Sequence, residues 1–430
     1  MSVDTLRADA LGTYGGRVET PTLDAFAREG VLFERAFSPA GLTAPSHASL
    51  LTGQEPLEHG VIRNGTYLDD EFESLAQGFR RSGYDSAAFV SSFVLDRRFG
   101  WDRGFEVFDS TFGEADATVP KEMGTPGMFF HKHDFEGFDR RADASIDAAL
   151  AWLRTAQEPY FLFVHLFDPH DPYTPPDGYA QQLKGTTFSL EGRRDPLAKK
   201  PGRLKRLVRR YHAEVVFTDE QLGRLFEAVE TRSDRRVVRV VTADHGEGLG
   251  QHDWVFHDRN LYDEALHIPL IIQDSTGSLA GVRIETPVAL SDVAPTLLEL
   301  AGLPPLSRAS GRSLAEAVRT GVEPVARPVF AHRREHATNE LEARGEKLAV
   351  RSRGWKLIRS EHVGEELYEL EVDPAEIEDR LAEAGRVDPD RVVALRQLLD
   401  DYSRRRNTPG PPQEMSEEVR EALVALGFVD

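Results

Sequence analysis

The sequence contains no cysteine. Disulfides, thiolate metal sites and a cysteine nucleophile are therefore excluded, while the redox compartment stays open because there is nothing to oxidise. No apolar run approaches the ~18 residues that span a bilayer, so no membrane span is expected. Positive charge is in deficit: 52 Lys and Arg against 72 Asp and Glu give a formal net charge of −20. A field of that sign repels nucleic acid and anionic membranes, so an anionic substrate has to be met by a local positive site, which a bound metal ion can supply. The N-terminus shows no export signal, and Ser2-Val3 reads as the end of a buried strand whose apolar first half is missing. The expectation is a start lying upstream, so that localisation is cytoplasmic as written and periplasmic or secreted if a signal has been lost.

What is present is the pattern of a large α/β protein. Strand-like runs fall at 86–94, 160–167, 235–244, 268–273 and 286–292, with amphipathic stretches at 139–156 and 211–230 between them. That alternation predicts a mostly parallel sheet flanked by helices on both faces. A catalytic domain over 1–315 is followed by a small antiparallel α+β subdomain over 316–403, then a linker and terminal helix over 404–430, the helix at 416–428. Two stretches stand apart. Residues 111–138 form a long Gly/Pro-containing loop of the kind that covers a site or stays disordered, and 193–210 carries nine basic residues, read as a solvated helix face with anion recruitment as the alternative.

In such sheets ligands bind beyond the carboxyl ends of the strands. That rule selects Asp4, Asp168, His170, Asp244 and His245. Asp244-His245 directly follows a buried run, where the turning backbone lets both side chains clamp one metal and Gly246 permits close approach. The alternative is an Asp that caps a helix and a His that packs. Asp4 at another strand end, "HLFDPHDPYTPP" at 165–176, and His252 and His257 in the loop after Asp244 favour the metal reading. Thr43 precedes a helix announced by Pro45, Ala48, Leu50 and Leu51, so it stands at or just before the N-cap. There it either caps the helix or acts as a nucleophile whose hydroxyl a divalent metal helps to ionise.

The stretches "SVDTLRADALGTYG", "TPTLDAFAREGVLFERAF", "TAPSHASLLTG", "DPHDPY", "ADHGEGLGQH", "LYDEALHIPLI" and "SDVAPTLLELAGLP" stand in the order and spacing of the sulfatase family, within the alkaline phosphatase superfamily. The chain resembles that family along nearly its whole length. "TAPSHASLLTG" is similar to the signature Cys-x-Pro-Ser-Arg-x-x-Leu-Leu-Thr-Gly, with Thr43 at the position where the family's Cys becomes formylglycine and His47 in place of its Arg. The family's Asp-Asp and Asp-Asn calcium pairs correspond to Asp4-Thr5 and Asp244-His245. Imidazole in place of oxygen moves metal preference from calcium toward zinc or manganese. The sulfate-binding Gly-Lys-Trp-His segment is replaced by "FVSSFVL" at 89–95.

These departures resemble the superfamily's phosphodiesterases, phosphoethanolamine transferases and lipoteichoic acid synthases, which use a metal-bound Thr. The resemblance implies one or two divalent ions, a metal held by Asp4, Thr43, Asp244 and His245, and in-line attack by Thr43 on phosphorus or sulfur followed by hydrolysis of the threonyl ester. It places His170 and His257 on the substrate side as a second metal site or a cationic pair, with Asp168, Asn64 and His47 as further substrate or metal contacts. Asn64 in "RNGT" reads equally as a turn residue. His252 is the candidate proton donor to the leaving group, His131 and His133 are weaker candidates, and Asp292 is read as a helix cap. The implied function is a metal-dependent hydrolase of small phosphoric esters (phosphodiester, phosphonate or phosphate monoester) or sulfuric esters. A phosphoryl-group transferase and a non-catalytic binding protein of the same fold are the alternatives.

Overall fold

The computed structural model describes residues 1–112, 139–190, 192–194, 202–232, 235–276, 279–334, 344–382 and 387–407. Most of the long loop beyond 112, with His131 and His133, and the expected helix at 416–428 lie outside them. The main sheet is built from β1 (Ser2–Val3), β2 (Val31–Phe37), β3 (Asp85–Phe89), β4 (Val107–Asp109), β5 (Tyr160–Leu166), β6 (Val238–Ala243), β7 (His267–Asp274), β8 (Val282–Ile284) and β9 (Val288–Ala289). Its order is β4-β3-β5-β1-β6-β7-β2-β8, with β9 also on β2. All pairings are parallel except those of β7, which runs against both β6 and β2. The expected α/β architecture is present.

Branched and aromatic side chains on both faces of β5, β6 and β7 suit strands covered on both sides. On one face lie the helices Ala142–Leu153 and Arg203–Arg232. The second of these buries Leu207, Val208, Tyr211, Val215, Leu222, Phe226 and Val229 along one stripe, the spacing of an amphipathic helix. The C-terminal half of the basic run is its first two turns, with Lys205 and Arg206 exposed. The expected strand at 286–292 shrinks to Val288–Ala289, because a 3-10 turn over Leu290–Asp292 leads straight into the helix Val293–Leu300. Asp292 does stand before that helix, but its Oδ2 accepts from the amide of Ala289 rather than from the helix itself (3.0 Å).

A second sheet, β10 (Val329–Arg333), β11 (Lys347–Ser352), β12 (Trp355–Ser360) and β13 (Gly364–Glu369), is antiparallel throughout. The helix Pro389–Ser403 lays Leu395, Leu399 and Tyr402 on it beside Phe330 and Leu357. Phe37 and Ala289 of the main sheet, with Leu266 just before β7, share another apolar core with Ala331, Ile358 and Tyr368, so the two sheets are welded together. A buried ion cluster reinforces the weld: Lys356 meets Asp263 at 2.8 Å and Glu376 at 2.6 Å.

The centre of the main sheet has a gap. β1 is two residues long, and Ser2 pairs with His165 on one side and Thr242 on the other. Ahead of it, Tyr160 to Phe163 of β5 and Val238 to Val240 of β6 pair only with β3 and β7 on their outer sides. Between them lies a slot of about 320 Å³ lined by Leu50, Leu51, Phe79, Phe161, Phe226 and Leu297. The Met1 amine sits at its end, donating to Val240 O at 2.8 Å, and burial pushes its pKa down to about 5. Four apolar β-formers placed ahead of Met1 are expected to fill the slot, replace the desolvated amine by an ordinary amide, and raise the Tm by a few degrees. Thermal melts against a Lys/Glu-rich extension of the same length check this, and equal Tm values for the two would show that the slot takes no strand.

Candidate active site

Val3 of β1 faces Ala243 of β6 in register, so the next residues, Asp4 and Asp244, leave the sheet side by side. Both are fully buried. Thr5 is turned into the left-handed region (φ 52°), a costly conformation for a β-branched residue. Its amide thereby reaches Asp244 Oδ1 (3.2 Å), which also accepts from the His245 amide (2.8 Å). One oxygen of Asp244 is thus fixed by backbone donors. Its Oδ2 and both oxygens of Asp4 have no hydrogen-bond partner. The Gly246 that follows is needed for a different reason than ligand approach: a Cβ there would lie 2.2 Å from the Glu264 carbonyl oxygen.

His245 Nδ1 lies 2.9 Å from the Gly246 carbonyl and must donate to it, which leaves the Nε2 lone pair free. That Nε2 faces Asp244 Oδ2 at 3.4 Å and Asp4 Oδ1 at 3.7 Å. Asp4, Asp244 and His245 each offer a ligand atom within 4.8 Å of the others. Thr43 is the first residue of the helix Thr43–Thr52, not its cap. Its hydroxyl lies against the Asp4 carboxylate, close enough to favour the charged form yet short of a closed hydrogen bond. The helix start is capped from outside, where Asn64 Oδ1 accepts from the Ala44 amide (2.9 Å). Asn64 Nδ2 is left buried and unpartnered beside the same helix end. One turn on, His47 donates Nδ1 to the Thr43 carbonyl (2.8 Å) and keeps a free, buried Nε2.

His170 and His257 meet at one edge of this nest. Nδ1 of His170 donates to the Asp171 carbonyl (2.7 Å) and Nδ1 of His257 to the Gly41 carbonyl (3.1 Å). Their two Nε2 atoms are then both acceptors, 3.1 Å apart. Two lone pairs at that separation require a proton or a cation between them. His257 also packs on the His245 ring at 4.5 Å between centroids, which joins the pair to the carboxylates.

Burial drives the Asp4 pKa well above the carboxylate range against the favourable Asp244 and Thr43 contacts, and burial with the Asp4 charge raises Asp244 to about 7. Burial likewise lowers His47 and His257 to about 3 and His245 to about 4. His170 is pushed well down by burial and then by His257. The site therefore resists charge of either sign while presenting unsatisfied oxygens and neutral imidazole lone pairs. Such a donor set fits a divalent cation of borderline softness.

Two expected site residues are not brought in. His252 is held elsewhere, its Nδ1 on Glu264 (2.8 Å), its Nε2 on the Glu376 carbonyl (3.0 Å) and its ring stacked on Tyr262. Burial opposes its charge, but Glu264 outweighs this and raises its pKa. With both nitrogens committed it is a fastening, not a proton donor to a leaving group. Asp168 Oδ2 accepts from the Ala142 amide at the start of a helix (2.7 Å), so it caps that helix and does not join the cluster. Conversely, His165 on β5, a position inside a strand that the strand-end rule does not select, lies in the nest. Its Nε2 faces Asp4 Oδ2 at 3.4 Å, and with His47 and Asp244 it forms a second group of converging ligand-type atoms. The one sign of it in the sequence is a lone polar residue inside the apolar run "YFLFVHLF".

Comparison with known proteins adds the family context. The family model described as "Sulfatase" matches residues 2–303, and that described as "N-sulphoglucosamine sulphohydrolase, C-terminal" matches residues 250–399. The chain is 24% identical over 333 residues to the "Uncharacterized sulfatase YidJ" of Escherichia coli K12, a match covering 70% of this chain and 66% of that protein, a little under two thirds of its length. A structure solved in complex with its substrate D-glucosamine-2-N,6-O-disulfate superposes with a TM-score of 0.77 at 21% identity, covering 94% of this chain and 97% of that one. The phosphonate monoester hydrolase of Agrobacterium radiobacter gives 0.74 at 23% identity, covering 94% and 95%.

The electrostatics generate a test. The Asp244 pKa of about 7 lies above its unfolded value near 3.8, so the wild-type residue contributes stability below pH 4 that is lost as pH rises through 7. Asp244→Asn is expected to raise the Tm of the metal-free protein above pH 7 and to leave it unchanged near pH 4. Paired melts in chelator across that range check the sign.

Proposed function

The chain belongs to the sulfatase family, and from that premise we propose that it is a metal-dependent hydrolase of small anionic esters whose attacking group is the Thr43 hydroxyl. One observation carries this: the Thr43 hydroxyl sits against the buried Asp4 carboxylate, neither oxygen of which closes a hydrogen bond among the described residues. Asp4, Asp244 and His245, with Thr43 Oγ, would hold a divalent ion, which lowers the pKa of the hydroxyl and supplies the positive charge the site lacks. Two carboxylates with an imidazole and a hydroxyl favour zinc or manganese over calcium.

The remaining residues then have defined work. The helix that starts at Thr43 turns its positive end toward the attacking oxygen and the substrate oxyanions. Asn64 Nδ2 is available to a substrate oxygen because Oδ1 is anchored on the Ala44 amide. In the first step a bond forms from Thr43 Oγ to phosphorus or sulfur and the bond to the ester oxygen breaks. The facing Nε2 lone pairs of His170 and His257 accept the proton that Thr43 releases and hand it to the departing oxygen, converting it to the alcohol. Water then cleaves the threonyl ester from the same side of the site. Buried, unpartnered carboxylates weigh against a mere binding role, since an apolar or hydrogen-bonded replacement would stabilise the fold.

Both sulfate esters and phosphonate or phosphate esters remain within the substrate class, as the names of the structural relatives span the two. Absence of cysteine removes the formylglycine route, so any sulfate ester has to be cleaved through the threonyl intermediate. Wild type stripped with chelator is expected to lose turnover of aryl sulfate, bis-aryl phosphate and aryl phosphonate probes, and to regain it with zinc or manganese but not calcium. Thr43→Ala is expected to lose at least about a thousandfold in kcat with its metal-free Tm unchanged. Turnover of the variant at the wild-type rate would remove Thr43 from the chemistry.

A further inference from the structure

His165 is fully buried on β5, beside β1, and differs from the other histidines of the site in tautomer. His47, His170, His245 and His257 each give Nδ1–H to a backbone carbonyl and keep Nε2 as a lone pair. At His165 the roles are reversed. The Ser91 amide, which can only donate, points at its Nδ1 (3.3 Å), so the neutral ring carries its proton on Nε2. That nitrogen and Asp4 Oδ2 face each other at 3.4 Å, and neither closes a hydrogen bond among the described residues.

A one-way chain of donors sets this orientation. Arg140 Nε donates to Ser145 Oγ (2.9 Å), which lies 2.6 Å from Ser91 Oγ. Ser91 Oγ in turn donates to the His165 carbonyl (2.6 Å). Since that proton is spent on the carbonyl, Ser145 must be the donor to Ser91. Arg140 is itself held by Asp109 (3.0 Å), and its amide donates to the Ser91 carbonyl (3.0 Å). Ser91 is thus gripped on both sides of its peptide, and its N–H has no freedom to turn away from the imidazole.

We propose that His165 is a positioning residue of the metal centre: it donates Nε2–H to Asp4 Oδ2 and so reserves Asp4 Oδ1, the oxygen that faces His245, for the ion. This rests on the metal-centre reading above. The convergence of His47, His165 and Asp244 suggests at first a second ligand set, but ligation through His165 Nε2 would move its proton to Nδ1, against the Ser91 N–H. The geometry instead gives the ligating carboxylate a fixed donor on its far oxygen, an arrangement that tunes affinity without touching the metal.

Two variants and two readouts separate the roles. His165→Leu deletes the donor, while His165→Gln returns an amide N–H near the position of Nε2. In competition with a chromophoric chelator, H165L is expected to bind zinc and manganese about 10- to 100-fold more weakly than wild type, and H165Q to recover most of that loss. The visible spectrum of the cobalt-substituted H165Q protein is expected to match wild type, because the ligand set is unchanged. Wild-type affinity in H165L overturns the proposal, as does H165Q binding as weakly as H165L, and shifted cobalt bands in H165Q would make His165 a ligand. Should H165L fail to fold, judged by its metal-free melt, the cobalt spectrum and affinity of H165Q decide alone. A wild-type protein that takes up no divalent ion sinks the metal-centre reading itself, a result distinct from any difference among the variants.

Discussion

Two carboxylates at the tips of adjacent parallel strands, Asp4 after β1 and Asp244 after β6, share one dry pocket. Bringing such groups out of water costs several kcal/mol each, and their mutual repulsion adds to it. The local backbone is shaped to limit that cost. Thr5 accepts a left-handed conformation so that its amide, with that of His245, can hold Asp244 Oδ1. What the backbone leaves over, three carboxylate oxygens without partners, is a demand for positive charge. The demand cannot be met by the nearby imidazoles, since burial keeps those of His47, His245 and His257 neutral at physiological pH.

Carbonyl anchors decide what each imidazole contributes. A ring whose Nδ1 is tied to a main-chain carbonyl has to present an Nε2 lone pair, and this is the state of four histidines around the site. Because the anchors are backbone atoms, the tautomers are a property of the fold rather than of pH. The same logic makes His165 the exception, because its anchor is an N–H. One cluster of chemically identical side chains is thereby sorted into acceptors and a donor by the main chain alone.

This division explains which parts of the site were legible in the sequence. Asp4, Asp244, His245 and His170 sit just past strands, where the rule for parallel sheets directs attention, and Thr43 opens a helix whose Pro45 and apolar spacing mark its start. His165 lies inside β5, where hydrophobic patterning reads it as one more core position; only register with β1 places it against Asp4. His252 and Asp168 look like site residues by type and neighbourhood, yet the partners that hold them, Glu264, the Glu376 carbonyl and the Ala142 amide, are supplied by other segments. The parallel core of the sheet followed from the alternation of apolar runs and helical stretches. The reversal of β7 did not, because a strand buried on both faces has the same pattern in either direction.

His252 still bears on the chemistry through the chain it belongs to. The loop at 249–258 carries both His252 and His257. His252 fixes one end by bridging Glu264 to the carbonyl of Glu376, whose own side chain is gripped by Lys356 and by the Asp263 amide. The other end is fixed by the Gly41 carbonyl on His257 Nδ1, two residues before Thr43. His257 is therefore tied to the segment just before the helix Thr43–Thr52. Among the described residues the C-terminal region supplies none of the carboxylates or imidazoles of the nest, yet through the Glu376 carbonyl it holds His252, five residues before His257. The buried ion cluster of Lys356, Asp263 and Glu376 is thus joined through His252 to the stretch of chain that carries His257.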